Sequence, residues 1–96
     1  MKMEPKKVTE AKLARYYEIT SKAFDLAKKN VSWKKKKQSK EIIQMVSDYL
    51  KDSKYFEKEG HYVNAFAAIN YAHGWLDCGA RLRIFKVRDN NLFSID

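Results

Sequence analysis

Apolar positions recur at helical intervals in two stretches of this chain and fill nearly every direction around a third. Leu13, Tyr16, Tyr17, Thr20, Ala23, Phe24 and Ala27 return at spacings of three and four, the pattern of one buried helix face. Thr9 is placed to cap that helix, with Glu10 in the first turn where the helix dipole favours an acid. The pattern predicts a helix from about Thr9 to Lys29, stopped by Asn30 in a left-handed conformation. Ile42, Met45 or Val46, Tyr49, Ser53 and Phe56 repeat at about 3.5 residues, which predicts a second helix from about Ser39 to Glu59. Between Tyr62 and Leu82 only Asp77 and Arg81 carry full charges, and a helix so apolar on all sides is one that neighbours bury. That stretch is the predicted central helix, over residues 62 to 82.

The connections constrain how these helices meet. Gly60 and His61 leave room only for a tight antiparallel hairpin, with Gly60 free to turn left-handed. The pattern Gly60, Tyr62, Ala65, Ile69, Ala72 resembles the turn and second helix of a tetratricopeptide unit, but a lone hairpin falls short of the roughly three units that a stack needs. Between Val31 and Lys40, Ser32 could cap a helix starting at Trp33, but four consecutive lysines repel one another and favour a loop or frayed turn, with Ser39 as the cap of the next helix. Met1 to Val8 is polar and holds the only proline, so it is expected to fray. In the tail, residues 83 to 96, the apolar pieces IFKV and LFSI flank a turn-forming RDNN, and they are too apolar to stay solvated. The predicted fold class is all-α: a single domain forming an up-down-up antiparallel three-helix bundle, with the apolar C-terminal tail packed back onto it. The aromatic residues Tyr16, Tyr17, Phe24, Tyr49, Phe56, Tyr62 and Phe66 are expected in its core.

Charge is unevenly placed. Residues 1 to 40 carry +9, residues 41 to 61 carry −2 and residues 62 to 96 carry +1, for a net +8. The basicity counted this way belongs to the first helix and the loop after it, and it argues for attraction to polyanions. Trp33, Lys34, Lys35, Lys36 and Lys37 are the candidate nucleic-acid contacts, because cations hold phosphates while an aromatic stacks on an unpaired base.

The run YFEKEGHYVNAFAAINYAHGWLDCGARL, residues 55 to 82, followed by an apolar tail containing Leu92 and Phe93, resembles an archaeal family of small proteins, domain of unknown function family 357. The resemblance implies a compact helical fold and an archaeal cytoplasmic setting. It implies no established activity, and no catalytic residues carry over from it.

The polar residues of the central helix are the other candidates. Asn70, His73, Asp77 and Arg81 stand at steps of three and four on one side, so Asp77 is within reach of both His73 and Arg81. An imidazole oriented by a carboxylate suits proton transfer or ligand binding; a polar network between packed helices is the plainer account. Tyr71 and Trp75 lie on another side and need the tail, a protein partner or a second copy to cover them. Cys78 has no cysteine to pair with, and no His, Cys or carboxylate spacing suits a metal. No phosphate loop or nucleophile elbow is present, so no cofactor and no catalytic residue is assigned. The N-terminus lacks an apolar signal core, and no apolar run approaches the roughly 18 residues that span a bilayer. The sequence therefore reads as a cytoplasmic, membrane-free, non-enzymatic protein-binding or assembly module. It uses the groove around the central helix for a protein or a second copy, with the basic first half as an auxiliary polyanion surface. The alternative is an RNA-binding or RNA-processing factor, or an enzyme centred on His73 and Asp77.

Overall fold

The computed structural model describes residues 7–95. Most of the N-terminal segment expected to fray lies outside those residues; Val8, within them, packs half-buried against Leu13. The architecture is a three-helix bundle: α1 (Glu10–Lys29), one turn of 3₁₀ helix (Trp33–Lys35), α2 (Lys36–Lys58), α3 (Tyr62–Arg81), and a tail without regular structure.

Each helix begins and ends for local reasons. Thr9 Oγ1 accepts from Lys12 N at 3.1 Å, and Lys28 and Lys29 sit at the negative end of the α1 dipole. Asn30 stops α1 differently from expectation. Its φ is −130°, and its side-chain amide donates to Leu26 O at 2.7 Å. The chain has to leave α1 extended, because Val31 forms an antiparallel bridge with Phe85 of the tail.

Nor do the four lysines form a loop. Lys35 N donates to Ser32 O, the 3₁₀ turn runs into α2, and α2 starts at Lys36 rather than near Ser39. Successive helical side chains diverge by about 100°, which separates the charges, and all of these lysines but the half-buried Lys35 lie in solvent. Ser39 is buried inside α2 with its hydroxyl donating to Lys36 O.

The α2–α3 turn closes as the sequence requires. Gly60 has φ +80°, Gly60 N donates to Glu57 O at 3.0 Å and His61 N to Phe56 O at 2.8 Å, the paired bonds of a Schellman cap. Gly60 meets that backbone demand without a Cβ penalty.

α3 packs most extensively against α2 and next against α1, while α1 and α2 meet at few positions. The molecule is accordingly flat, 42 × 33 × 15 Å. Small residues make α3 fit between its neighbours: Ala65, Ala68, Ala72, Gly79 and Ala80 are all buried. The main core joins Ala23, Phe24 and Ala27 of α1, Ile42, Val46 and Leu50 of α2, Leu76 of α3, and Ile84, Phe85 and Phe93 of the tail. A smaller cluster gathers Leu13, Ala65 and Ile69 near the Gly60 end, flanked by Tyr16 and Phe66 edge to face at 5.1 Å. Of the seven expected core aromatics Phe24 is buried, and the four tyrosines, whose hydroxyls favour a wet edge, pack half-buried against the two clusters with Phe56 and Phe66. The tail supplies the missing rings. Phe85 and Phe93 are 1% and 2% exposed, and burying each contributes about 1.5–3 kcal/mol. Gly79 makes room for one of them, because a Cβ there would stand 2.4 Å from the Phe85 ring.

Candidate functional site

The polar stripe of α3 divides into a pinned middle and two exposed ends. His73 Nε2 lies 2.7 Å from Leu92 O, an acceptor only, so this nitrogen carries the proton and donates. In the neutral ring Nδ1 then accepts from the Thr20 hydroxyl at 2.9 Å. Asp77 Oδ1 stands 3.6 Å from Nε2 and accepts from Ser94 N at 2.9 Å. Both ring nitrogens are thus engaged by protein partners, and the pair holds the tail segment Leu92–Ser94 over α3. The adjoining cleft, about 400 Å³, is bordered by Tyr16, Asn70 and Asn91. Asn70 is exposed, and Arg81 makes no ion pair with a described carboxylate, so the expected Asp77–Arg81 contact does not form. The tail backbone takes Asp77 instead.

The tail covers that side of α3 and leaves Tyr71 outside, while Trp75 packs half-buried against the main core. Tyr71 is 53% exposed, its ring 4.5 Å from Tyr49 and 6.4 Å from Trp75. Burial, and next the neighbouring Tyr71 phenol, pushes the Tyr49 hydroxyl pKa up from its ordinary value.

A third region forms where the 3₁₀ turn meets the end of α3. Lys35 Nζ donates to Leu82 O at 2.7 Å, which ties the lysine run to the C-terminus of α3. Trp33 is 70% exposed beside it, with Lys34 Nζ 5.4 Å from its ring centre. A cavity of about 550 Å³ opens at this end of the molecule. Arg81, Arg83, Lys86 and Arg88 line it over a wall of Ala80, Val87 and Ile95. Eleven of the 20 Lys and Arg residues belong to this end, in the last turn of α1, the 3₁₀ turn, the start of α2, the end of α3 and the first part of the tail.

The net charge of +1 over residues 62 to 96 conceals this cluster. Asp77 and Asp89 are two of the three acids that offset the four cations in that count, and both are engaged with tail backbone, Asp89 accepting from Asn91 N at 2.8 Å and Leu92 N at 3.2 Å. The signal is visible in RLRIFKVR, residues 81 to 88, whose four cations interleave with buried Ile84 and Phe85.

Arg83 holds its place against local preference. It has φ +59°, with Arg83 N donating to Ala80 O at 3.1 Å and Ile84 N to Gly79 O at 2.8 Å. These are the bonds of a second Schellman cap, and arginine stands where glycine is the unstrained choice.

The model for the family described as "Protein of unknown function (DUF357)" matches residues 15–85. The chain belongs to that family. The DUF357 match spans most of α1, the lysine run, α2, α3 and Arg81 and Arg83, and stops before Lys86. No curated protein and no solved structure matches the chain. Among the described residues no group of three or more His, Cys, Asp or Glu is placed to hold a metal ion, and no helix is long and apolar enough to cross a membrane.

Proposed function

We propose that this DUF357 protein is a non-enzymatic module that binds single-stranded RNA through its basic end. The observation that carries the reading is the Lys35–Leu82 contact, which joins two basic runs more than forty residues apart in sequence beside an exposed tryptophan. Cations spread over one end follow a phosphate backbone, and Trp33 offers a stacking face to an unpaired base. A duplex would bury its bases out of Trp33's reach. The reading needs no cofactor, and a cytoplasmic setting accords with it.

Fluorescence anisotropy with a short oligouridylate tests it. On the order of five phosphate contacts would make log K fall with log salt at a slope of about −3.5. Changing Lys34, Lys35, Lys36 and Lys37 to Gln is expected to remove most of the affinity. Binding that survives this change and is indifferent to salt refutes the proposal.

A second reading, assembly through α3, is favoured by the uncovered side of that helix, where Val63 is 70% and Tyr71 53% exposed. The occupant there is a protein partner or a second copy. Light scattering that returns a clean monomer mass at high concentration counts against the second copy.

A further inference from the structure

We infer that the cavity at the end of α3 is a pocket for a nucleotide phosphate monoester, either a free mononucleotide or the phosphorylated end of an RNA strand. In its RNA arm the inference deepens the proposed function and rests on it. In its mononucleotide arm it stands alone.

The charge count comes first. Arg81, Arg83, Lys86 and Arg88 border one cavity, and none of them forms an ion pair with a described acid. Four cations gathered around one opening repel one another, and a dianion relieves that repulsion. Arginine contributes a planar fork suited to phosphate oxygens, and three of the four are arginine. The C-terminal end of α3 opposes an anion with the equivalent of about half a negative charge. That opposition is muted here. Gly79 O accepts from Ile84 N and Phe85 N, Ala80 O from Arg83 N, and Leu82 O from Lys35 Nζ.

The frame that carries the cations is fixed. Ser32 N donates to Ile84 O and Lys86 N to Asn30 O, so the tail is fastened to the α1–α2 connection on both sides of the buried Phe85. Its charged side chains are therefore displayed from anchored backbone. The wall of Ala80, Val87 and Ile95 gives the pocket an apolar side on which a sugar or base can lie, and about 550 Å³ is within the range of small-molecule pockets. Inorganic phosphate would leave that wall unused.

Arg83 adds an independent reason. Its left-handed backbone marks a position where side-chain function has outweighed conformational ease. Glycine there would complete the same cap.

The experiment uses the full chain and a single-stranded RNA of about a dozen residues, labelled at its 3′ end and carrying either a 5′-phosphate or a 5′-hydroxyl. The phosphorylated strand is expected to bind roughly tenfold more tightly, as suits hydrogen bonds to a charged group. Adenosine monophosphate should compete and adenosine should not. Arg83→Gly is expected to lose the preference while melting at the same or a higher temperature, and Arg88→Gln should weaken it without touching the cap. Equal binding of the two strands, with no competition by the monophosphate, overturns the pocket and leaves the RNA reading in place. Binding of the monophosphate by a protein that ignores both strands upholds the pocket and overturns the RNA reading. A preference that survives in both variants overturns the assignment of these residues.

Discussion

Two helices of this protein end in the same hydrogen-bonded cap, one at each end of the slab, and they end in different residues. α2 closes on Gly60 at φ +80°, α3 on Arg83 at φ +59°, with the same pair of backbone bonds in each. At the Gly60 end sequence and conformation agree. At the Arg83 end an arginine accepts a backbone that costs a side-chain-bearing residue about 1–2 kcal/mol, and three further cations stand around it. The first end is built as local preference dictates, whereas the second keeps positive charge where the fold alone would choose otherwise. On the function proposed above, that asymmetry separates a turn from a binding surface.

The sharpest way to break the comparison is to dislodge the tail that shapes the basic end. Gly79→Ala places a methyl group against a ring that is 1% exposed, and overpacking of this kind costs about 1–3 kcal/mol, more than the helix propensity gained. Urea unfolding should show the loss, and hydrogen exchange should show the Lys86 amide losing protection first. Gly74→Ala is the matched control. A Cβ at Gly74 meets nothing within 4 Å, so this change is expected to raise stability by up to about 1 kcal/mol.

Exchanging the two cap residues gives the next largest effect. Gly60→Arg gains about 1–2 kcal/mol of left-handed strain, offset in part by the entropy that glycine would lose on folding, and should lower the urea midpoint. Arg83→Gly reverses both terms and should leave the midpoint unchanged or raise it. If both substitutions destabilise equally, the difference between the caps has no energetic meaning.

The smallest effect belongs to the Gly60 end and is read through pH. The Tyr62 hydroxyl donates to Glu10 Oε1 at 2.6 Å, and this bond first, then burial and the negative charges of Glu10 and Glu57, pushes the phenol pKa up. A raised phenol pKa favours the folded state fully below the unfolded value of about 10, and that contribution fades as pH rises through the folded value. The stability gap between the wild-type chain and Tyr62→Phe should therefore hold steady to about pH 10 and shrink beyond it. A gap that widens at alkaline pH would refute the assignment.

Much of this fold was legible, α1 and α2 from a buried face that repeats at helical spacing and α3 from its apolar composition, although α3 is not covered all round and leaves Val63, Ala67, Tyr71 and Cys78 exposed. The start of α2 was not legible. Its lysines look self-repelling along the sequence, but helical geometry fans them apart and Lys35 finds Leu82 O, a partner 47 residues away. Phe85 and Phe93 were recognisable as residues that must be covered, but the bridge to Val31 that fastens the tail to the α1–α2 connection depends on a long-range pairing. The His73–Asp77 pair was visible as a spacing, whereas its partners Thr20, Leu92 and Ser94 come from two other segments. The basic pocket was hidden by averaging charge over a segment. Its cations are close in sequence, but Asp77 and Asp89, two of the acids that seem to cancel them, are taken up by tail backbone.

The contrast between the two ends is tested most directly by matched neutralisation. Lys34, Lys36 and Lys37 changed to Gln remove three charges from the basic end, and Lys51, Lys54 and Lys58 changed to Gln remove three from the half of α2 that leads to Gly60. Both variants carry the same net charge, so a purely nonspecific attraction weakens equally in the two. Measured at one salt concentration by anisotropy with a single-stranded RNA, the first set should lower affinity at least tenfold more than the second. Equal losses from the two sets would contradict the account.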